Sequence, residues 1–140
     1  RGENLTVANV GDSRAYLIRA RRPTQITRDH SLVAEQVEAG LLTEEEARGS
    51  AYRNVITRAL GYRPKVDVDV FELRLMSDDR VVLTSDGVHD VLSDEELAAI
   101  ALSEEPERAA RRLVERALEH GPPDHPTASI ARLKPAASTT

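Results

Sequence analysis

Polar and apolar positions alternate over Asn4–Val10, with Leu5, Val7 and, less cleanly, Asn9 on one side and Thr6, Ala8 and Val10 on the other. A period of two predicts a strand. Gly11-Asp12 is a turn signal, and Ser13–Ala20 reads as a second strand. Together they predict an antiparallel hairpin. RRPTQIT, residues 21–27, makes a turn and a short third strand. The period then changes. Leu32, Val33, Gln36 and Val37 fall at helical spacing and stop at Gly40, and Thr43 with Glu46 has capping-box spacing, so residues 31–48 predict two short helices. GSAYRN, residues 49–54, reads as a loop, and VITRAL before Gly61 fits neither period. Clean alternation returns over Val66–Leu75, with Val66, Val68 and Val70 facing one way and Asp67, Asp69 and Phe71 the other. After an Asp78-Asp79 turn, RVVLTS is the next strand. Ser93 and Glu96 repeat the capping-box spacing and open a helix through Leu102. A longer helix from Pro106 to His120 carries Ala110, Leu113, Val114, Ala117 and Leu118 on one face, stops at Gly121 and is closed by Pro122 and Pro123. Thr127–Leu133 alternates as a last strand.

The order is strands, a helical insert, strands, two helices and a strand. It predicts an α+β chain with a mainly antiparallel sheet rather than a βαβ repeat. The 140 residues match one domain in size. With one Phe, three Tyr and no Trp, the core is to be built from Val, Leu, Ile and Ala. The formal charge of −5 disfavours nucleic acid as a partner, because phosphate binding wants a basic face. The clusters Arg19, Arg21, Arg22 and Arg108, Arg111, Arg112 read as solvated surface. Without Cys there is neither a disulfide framework nor a thiolate metal site. No apolar run reaches the length of a membrane span, and no signal peptide is visible. The start at Arg1 suggests a piece of something longer, and the polar, Pro- and Ala-rich residues 134–140 are expected to be disordered.

Four carboxylates fall where the chain changes direction: Asp12, Asp86, Asp90 and Asp124. Each alone is first a turn or cap residue. Asp86 stands apart, because it follows a strand apolar enough to be central and precedes Gly87, which lets backbone come close to a ligand or take positive φ. A carboxylate at the end of a rigid strand is a good hard-cation ligand. If a helical turn follows, Asp90 at i+4 lies on the same side, and two such carboxylates repel unless a cation lies between them. An EF-hand loop from Asp86 fails, because its third and sixth positions are Val88 and Val91. A phosphoacceptor Asp would want a parallel α/β chain, against the alternation of residues 66–75.

VANVGDSRAYLI, LTSDGVHDVLSDEEL and the strand opened by DHPTASIARL, in that order, resemble the metal-dependent PP2C-type (PPM) serine/threonine protein phosphatases. ITRDHSLVAEQVEAGLLTEEEA followed by RNVITRALG resembles the segment before, and the mobile flap of, their bacterial members. The resemblance spans residues 4–133 and implies an αββα sandwich of antiparallel sheets, incomplete here because the family's first half is absent. Residues 1–133 become the C-terminal part of such a domain, with 31–56 as a flap-like helical insert. It implies two Mn²⁺ or Mg²⁺ ions, or three, with Asp86, Gly87 and Asp124 on the main pair and Asp12 and Asp90 on a weaker third. Catalysis would run through metal-activated water, with no enzyme nucleophile. Implied partners are phosphoprotein substrates and a cognate Ser/Thr kinase, for a cytoplasmic protein that is a monomer when intact and has no membrane segment in this piece.

The departures are specific. No DGxGG bridging motif occurs, and the family's phosphate-binding Arg belongs to the absent half. The usual Asp-Asn is Asp124-His125, where His125 reads as a bystander, a hydrogen-bonding stand-in for Asn or a sign of a drifted site, the retained carboxylate favouring the first, and the flap lacks a His-Pro turn. His30 and His89 read as local surface or packing residues. The alternatives are a catalytically decayed phosphatase-like module that binds phosphoproteins or regulators, and a structural domain in which the acidic turns are incidental.

Overall fold

A computed structural model describes residues 2–135, so from residue 136 onward the expected disordered tail lies outside the described residues. The first strand, β1 (Asn4–Asn9), does not pair with the second, β2 (Arg14–Arg19). It pairs antiparallel with β4 (Asp69–Arg74), setting Leu5 opposite Leu73 and Val7 opposite Phe71. The hairpin expected across Gly11-Asp12 is therefore replaced by a corner between two sheets. The cause lies in burial. β1 buries one face only, whereas β2 carries the buried Ala15, Tyr16 and Ile18 and needs cover on both faces. Gly11, at φ 114°, makes the corner in a conformation that other residues rarely adopt.

β2 is central in a four-stranded sheet of order β3-β2-β5-β6, with β3 at Arg22–Gln25, β5 at Arg80–Thr84 and β6 at Ala128–Arg132. The true hairpin is β2–β3. Its two-residue loop, Ala20-Arg21, has positive φ at both positions, as the strand twist favours, although neither residue is Gly or Asn. β4 is shorter than the alternation of residues 66–75 suggests, because its partner β1 ends opposite Asp69. Phe71 and Leu73 face inward, while Val68 and Val70 are 50% and 59% exposed.

Helices cover one face of the larger sheet. They are α3 (Asp86–His89), α4 (Asp94–Ser103) and α5 (Pro106–Glu119). Tyr16, Ile18 and Val82 from the strands meet Val88, Leu92, Leu97, Ala101, Leu113 and Ala117 in one core. It is aliphatic, as the composition demands, apart from Tyr16, whose hydroxyl accepts from Arg14 at 3.1 Å. Burial above all pushes that phenol up to about 12. α5 turns Ala109, Leu113 and Ala117 inward, and Leu118, expected on the same face, is exposed. Ser93 caps α4 through Glu96 N–H at 3.1 Å, but Glu96 does not close the reciprocal half of the box. Its carboxylate instead takes Arg116 of α5 at 2.7 Å. At the other end, buried Arg80 donates to the carbonyls of Ala101 and Glu104, setting a positive charge at the helix C-terminus.

Between the sheets lies an open apolar cavity of about 570 Å³, lined by Leu5, Val7, Leu75, Val81, Leu83 and Leu133, among others. Leu83, in the centre of the larger sheet, is 48% exposed. Two facing sheets with helices on one of them make three layers of the expected sandwich.

The two short helices predicted over residues 31–48 form. α1 (Leu32–Glu38) and α2 (Glu44–Gly49) pack on each other, and Thr43 and Glu46 close a complete capping box. The excursion is stapled at its root. Leu32 N–H donates to Val55 O and Thr57 N–H to His30 O, both at 2.9 Å, around a Ser31–Ile56 bridge.

Candidate functional site

The register of the larger sheet gathers the carboxylates at one edge. Thr84, at the end of β5, pairs with Arg14 at the start of β2 and with Ala128 at the start of β6. Asp12 lies two residues before Arg14, Asp86 two after Thr84 and Asp124 four before Ala128. Antiparallel pairing thus brings three remote segments of sequence to the same end of three adjacent strands.

Asp86 opens the single turn of α3, and Asp90 N–H closes that turn on Asp86 O at 2.9 Å. The two carboxylates share one side, as i and i+4 residues do. The segment carrying Asp124 is tied to the end of β5. Ser85 N–H donates to Thr127 O at 3.0 Å, Thr127 N–H to Ser85 Oγ at 2.9 Å, and the Ser85 hydroxyl to His125 O at 3.3 Å. Asp124 Oδ1 accepts from His125 N–H at 2.7 Å. Gly87 permits this arrangement, since a Cβ there would stand 2.7 Å from Asp124 O and 2.8 Å from His125 C and O. The backbone that Gly87 admits is the segment bearing the other candidate ligand, and φ at Gly87 is not positive.

The carboxylates feel one another. Asp12 is raised above the usual carboxylate range by burial first and then by the charge of Asp86, with Asp29 adding to the effect. Asp90, although exposed to solvent, is raised by partial desolvation on its protein side and then by Asp86, with Asp12 contributing. Arg14 opposes both shifts, and Arg53 of the insert also acts on Asp90. Arg14 is fixed beside the site by a two-pronged bond to Asp29, with Nε–Oδ1 at 2.9 Å and Nη2–Oδ2 at 2.6 Å. Among the described residues no three His, Asp or Glu side chains converge closely enough to hold an ion by themselves. What is assembled is a row of oxygen donors, the type that suits Mg²⁺ or Mn²⁺.

Both histidines set aside from the sequence are structural participants. His89 shares a 2.9 Å hydrogen bond with Thr84 Oγ1, and burial first, then Arg14, pushes it down to about 3, so it is neutral at neutral pH. His30 is buried and bonds Gly11 and Asp69. Arg14, Asp29 and His30 were not among the expected site residues. Arg14 and Asp29 lie 15 positions apart, and His30 lies 19 from Gly11 and 39 from Asp69, separations that no local pattern reports.

Comparison with known proteins places the chain. Residues 1–125 match the family described as Protein phosphatase 2C. The chain is 39% identical over 131 residues to the serine/threonine protein phosphatase PstP of Mycobacterium tuberculosis, a match covering 93% of this chain and 25% of that protein. The crystal structure of the M. tuberculosis phosphatase PstP/Ppp superposes with a TM-score of 0.90 at 37% identity, covering 96% of this chain and 57% of that one. The PstP catalytic domain in complex with two manganese ions gives 0.86 at 36% identity, covering 96% of this chain and 56% of that one. The chain thus spans about a quarter of the curated relative and rather more than half of the solved phosphatase chains.

Proposed function

The chain belongs to the protein phosphatase 2C family, and from that premise we propose that the full-length protein hydrolyses phosphoserine and phosphothreonine in proteins, with Mn²⁺ or Mg²⁺ bound at this sheet edge. The observation that carries the reading is the sheet register, which sets Asp12, Asp86 and Asp124 at the ends of three neighbouring strands. Asp86 and Asp124 hold the principal cation pair, beside the backbone of Gly87, and Asp12 and Asp90 serve a weaker third site. The repulsion that Asp86 exerts on Asp12 and Asp90 supports this assignment, because a cation relieves it. When bound, the ions supply Lewis-acid chemistry, activating water and offsetting phosphoryl charge. This chain's own residues orient and confine. Ser85 and Gly87 hold the Asp124 segment against α3, Arg14 fixes a positive charge beside the carboxylates, and the 31–56 excursion acts as a flap bordering the substrate.

Donors that complete the shell, and the group that clamps the phosphate, come from outside these residues. The open inter-sheet cavity and the share of the relatives that the chain spans support that part of the reading. A serine/threonine kinase supplies the phosphoprotein substrates, and the full-length protein acts as a cytoplasmic monomer. No helix among the described residues is long and apolar enough to cross a membrane.

The test is Asp86→Asn in the full-length protein, with a phosphothreonine peptide and a Mn²⁺ titration. The parent is expected to turn over only with Mn²⁺ or Mg²⁺, and the variant to lose at least about 10²-fold in kcat/KM, the scale of one lost transition-state contact. Undiminished turnover by the parent in excess chelator would refute the reading, and peptide binding without turnover would point to a decayed module instead.

A further inference from the structure

Resting on the reading that Asp12 serves a cation site, we infer that His30 is a positioning residue that couples the Asp12 corner to the root of the 31–56 excursion. His30 grips Gly11 twice. Its backbone N–H donates to Gly11 O at 3.0 Å, and its ring Nδ1 accepts from Gly11 N–H at 3.0 Å. Asn9 adds a third tie, its side-chain amide donating to Arg28 O at 3.1 Å. Gly11 needs such a hold, because its φ of 114° is imposed by the corner and no regular strand fixes it.

The tautomer follows from the geometry. A ring nitrogen that accepts carries no proton, so the ring proton sits on Nε2. Nε2–H donates to Asp69 Oδ2 at 2.8 Å. Arg58 Nη1, 3.2 Å from Nε2, therefore has no acceptor there and donates to Asp69 Oδ1 at 3.0 Å instead. Arg58 belongs to the exit of the excursion and Ser31 to its entry, and His30 O accepts from Thr57 N–H at 2.9 Å across that root. One buried side chain thus bonds the residue before Asp12 on one edge and, on the other, the Asp69 carboxylate that anchors the excursion's exit. Moving the root moves the corner, and ordering the corner orders the root, since such coupling is reciprocal.

The test is amide exchange in the full-length protein, first without metal. Asp69→Ala removes the bond to Nε2 without touching Gly11. It is expected to speed exchange of the Gly11 amide about fivefold to tenfold, the size of one lost hydrogen bond. His30→Ala is expected to do at least as much, and the double variant no more than His30→Ala alone, as residues in one pathway do. His30→Asn, whose Oδ1 can take the place of Nδ1, is expected to restore protection at Gly11. Parental exchange at Gly11 in Asp69→Ala, or strict additivity in the double variant, overturns the coupling. Asp69→Ala alone decides the point even if replacing His30 unfolds the protein. A second arm adds Mn²⁺. In the parent it slows Gly11 and Thr57 together, and in His30→Ala the two amides respond separately. Absence of any Mn²⁺ response in the parent would sink the cation reading of Asp12 while the metal-free arm still decides the coupling.

Discussion

Gly87 illustrates how one missing methyl group can decide a site. A Cβ there would meet main-chain atoms of Asp124 and His125 at 2.7 and 2.8 Å, and main chain cannot rotate away as a side-chain tip can. Gly87→Ala is expected to push the Asp124 segment off α3, destabilise by about 1–3 kcal/mol as overpacking does and weaken Mn²⁺ binding. Gly49→Ala is the control, with open space at its Cβ and a helical setting that Ala favours by up to about 1 kcal/mol. Thermal melts and Mn²⁺ calorimetry on both variants check the contrast. The carboxylates divide by the sign of their shifts. Asp79, gripped by Arg19 at 2.6 Å, is held below its usual range, so the stability it contributes is present above its unfolded pKa and lost as pH falls through the native one. Asp90 is raised, so the native state holds its proton to higher pH than the unfolded chain does, and stability grows as pH falls through that raised value. Without metal, Asp90→Asn is therefore expected to melt no lower than the parent at neutral pH, any gain being trimmed by the solvent that screens this exposed side chain. With Mn²⁺ it gains less than the parent. An unchanged Mn²⁺ gain would return Asp90 to the role of a turn residue. All four carboxylates were legible in the sequence, because strand ends and turn dipeptides are local signals. The clash that makes Gly87 obligatory was not, since its partner lies 37 positions further along.

Periodicity located the strands and helices, and partner choice was what it could not supply. The turn signal at Gly11-Asp12 pairs β1 with its neighbour in sequence, yet its true partner β4 lies 60 to 70 residues away, and alternation is blind to which sheet a strand joins. The capping boxes show the same divide. Thr43 and Glu46 meet within one turn and form as read, while Glu96 is drawn off by Arg116, 20 residues distant. Arg80 is the sharpest case, a charge inside an apolar strand whose partners are the last carbonyls of α4. Arg80→Ala strands those carbonyls and opens a gap in the core. Its cost is expected at about 2–3 kcal/mol, the range for bonds to a charged donor. A urea midpoint shift with unchanged slope checks it. The 31–56 excursion lies at the opposite end of stability. Its helices bury only Val33 and Ala47, and Leu41 and Tyr52 are exposed. Its amides beyond the stapled root are expected to exchange far faster than those of β5, by local opening. Equal protection in the two would contradict a flap-like role.

The two sheets are unequally covered, and that asymmetry bears on how these residues behave in isolation. The larger sheet has α4 and α5 across one face, and its other face looks into the 570 Å³ inter-sheet cavity, where Leu83 is half exposed. The smaller sheet has only two strands, and Val68 and Val70 on and beside β4 are open to solvent. Isolated two-stranded sheets are marginal in water, and strands that end in unpaired edges invite association. The chemistry is asymmetric in the same way. The row of carboxylates at the sheet edge has no third side chain converging on any one point among the described residues, so a principal cation would be held by too few donors. On the proposed function both deficits have the same remedy, further strands and ligands from outside these 140 residues. Residues 1–140 expressed alone are thus expected to aggregate or melt without cooperativity, and to show no phosphatase activity in abundant Mn²⁺. Co-expression with the remainder of a protein phosphatase 2C domain is expected to restore solubility and turnover together. Size-exclusion chromatography, a melting curve and a Mn²⁺-dependent phosphopeptide assay read the three quantities. A soluble monomer with a sharp transition and metal-dependent turnover from residues 1–140 alone would mean that the inter-sheet cavity is a native feature and that the carboxylate row is already a complete site.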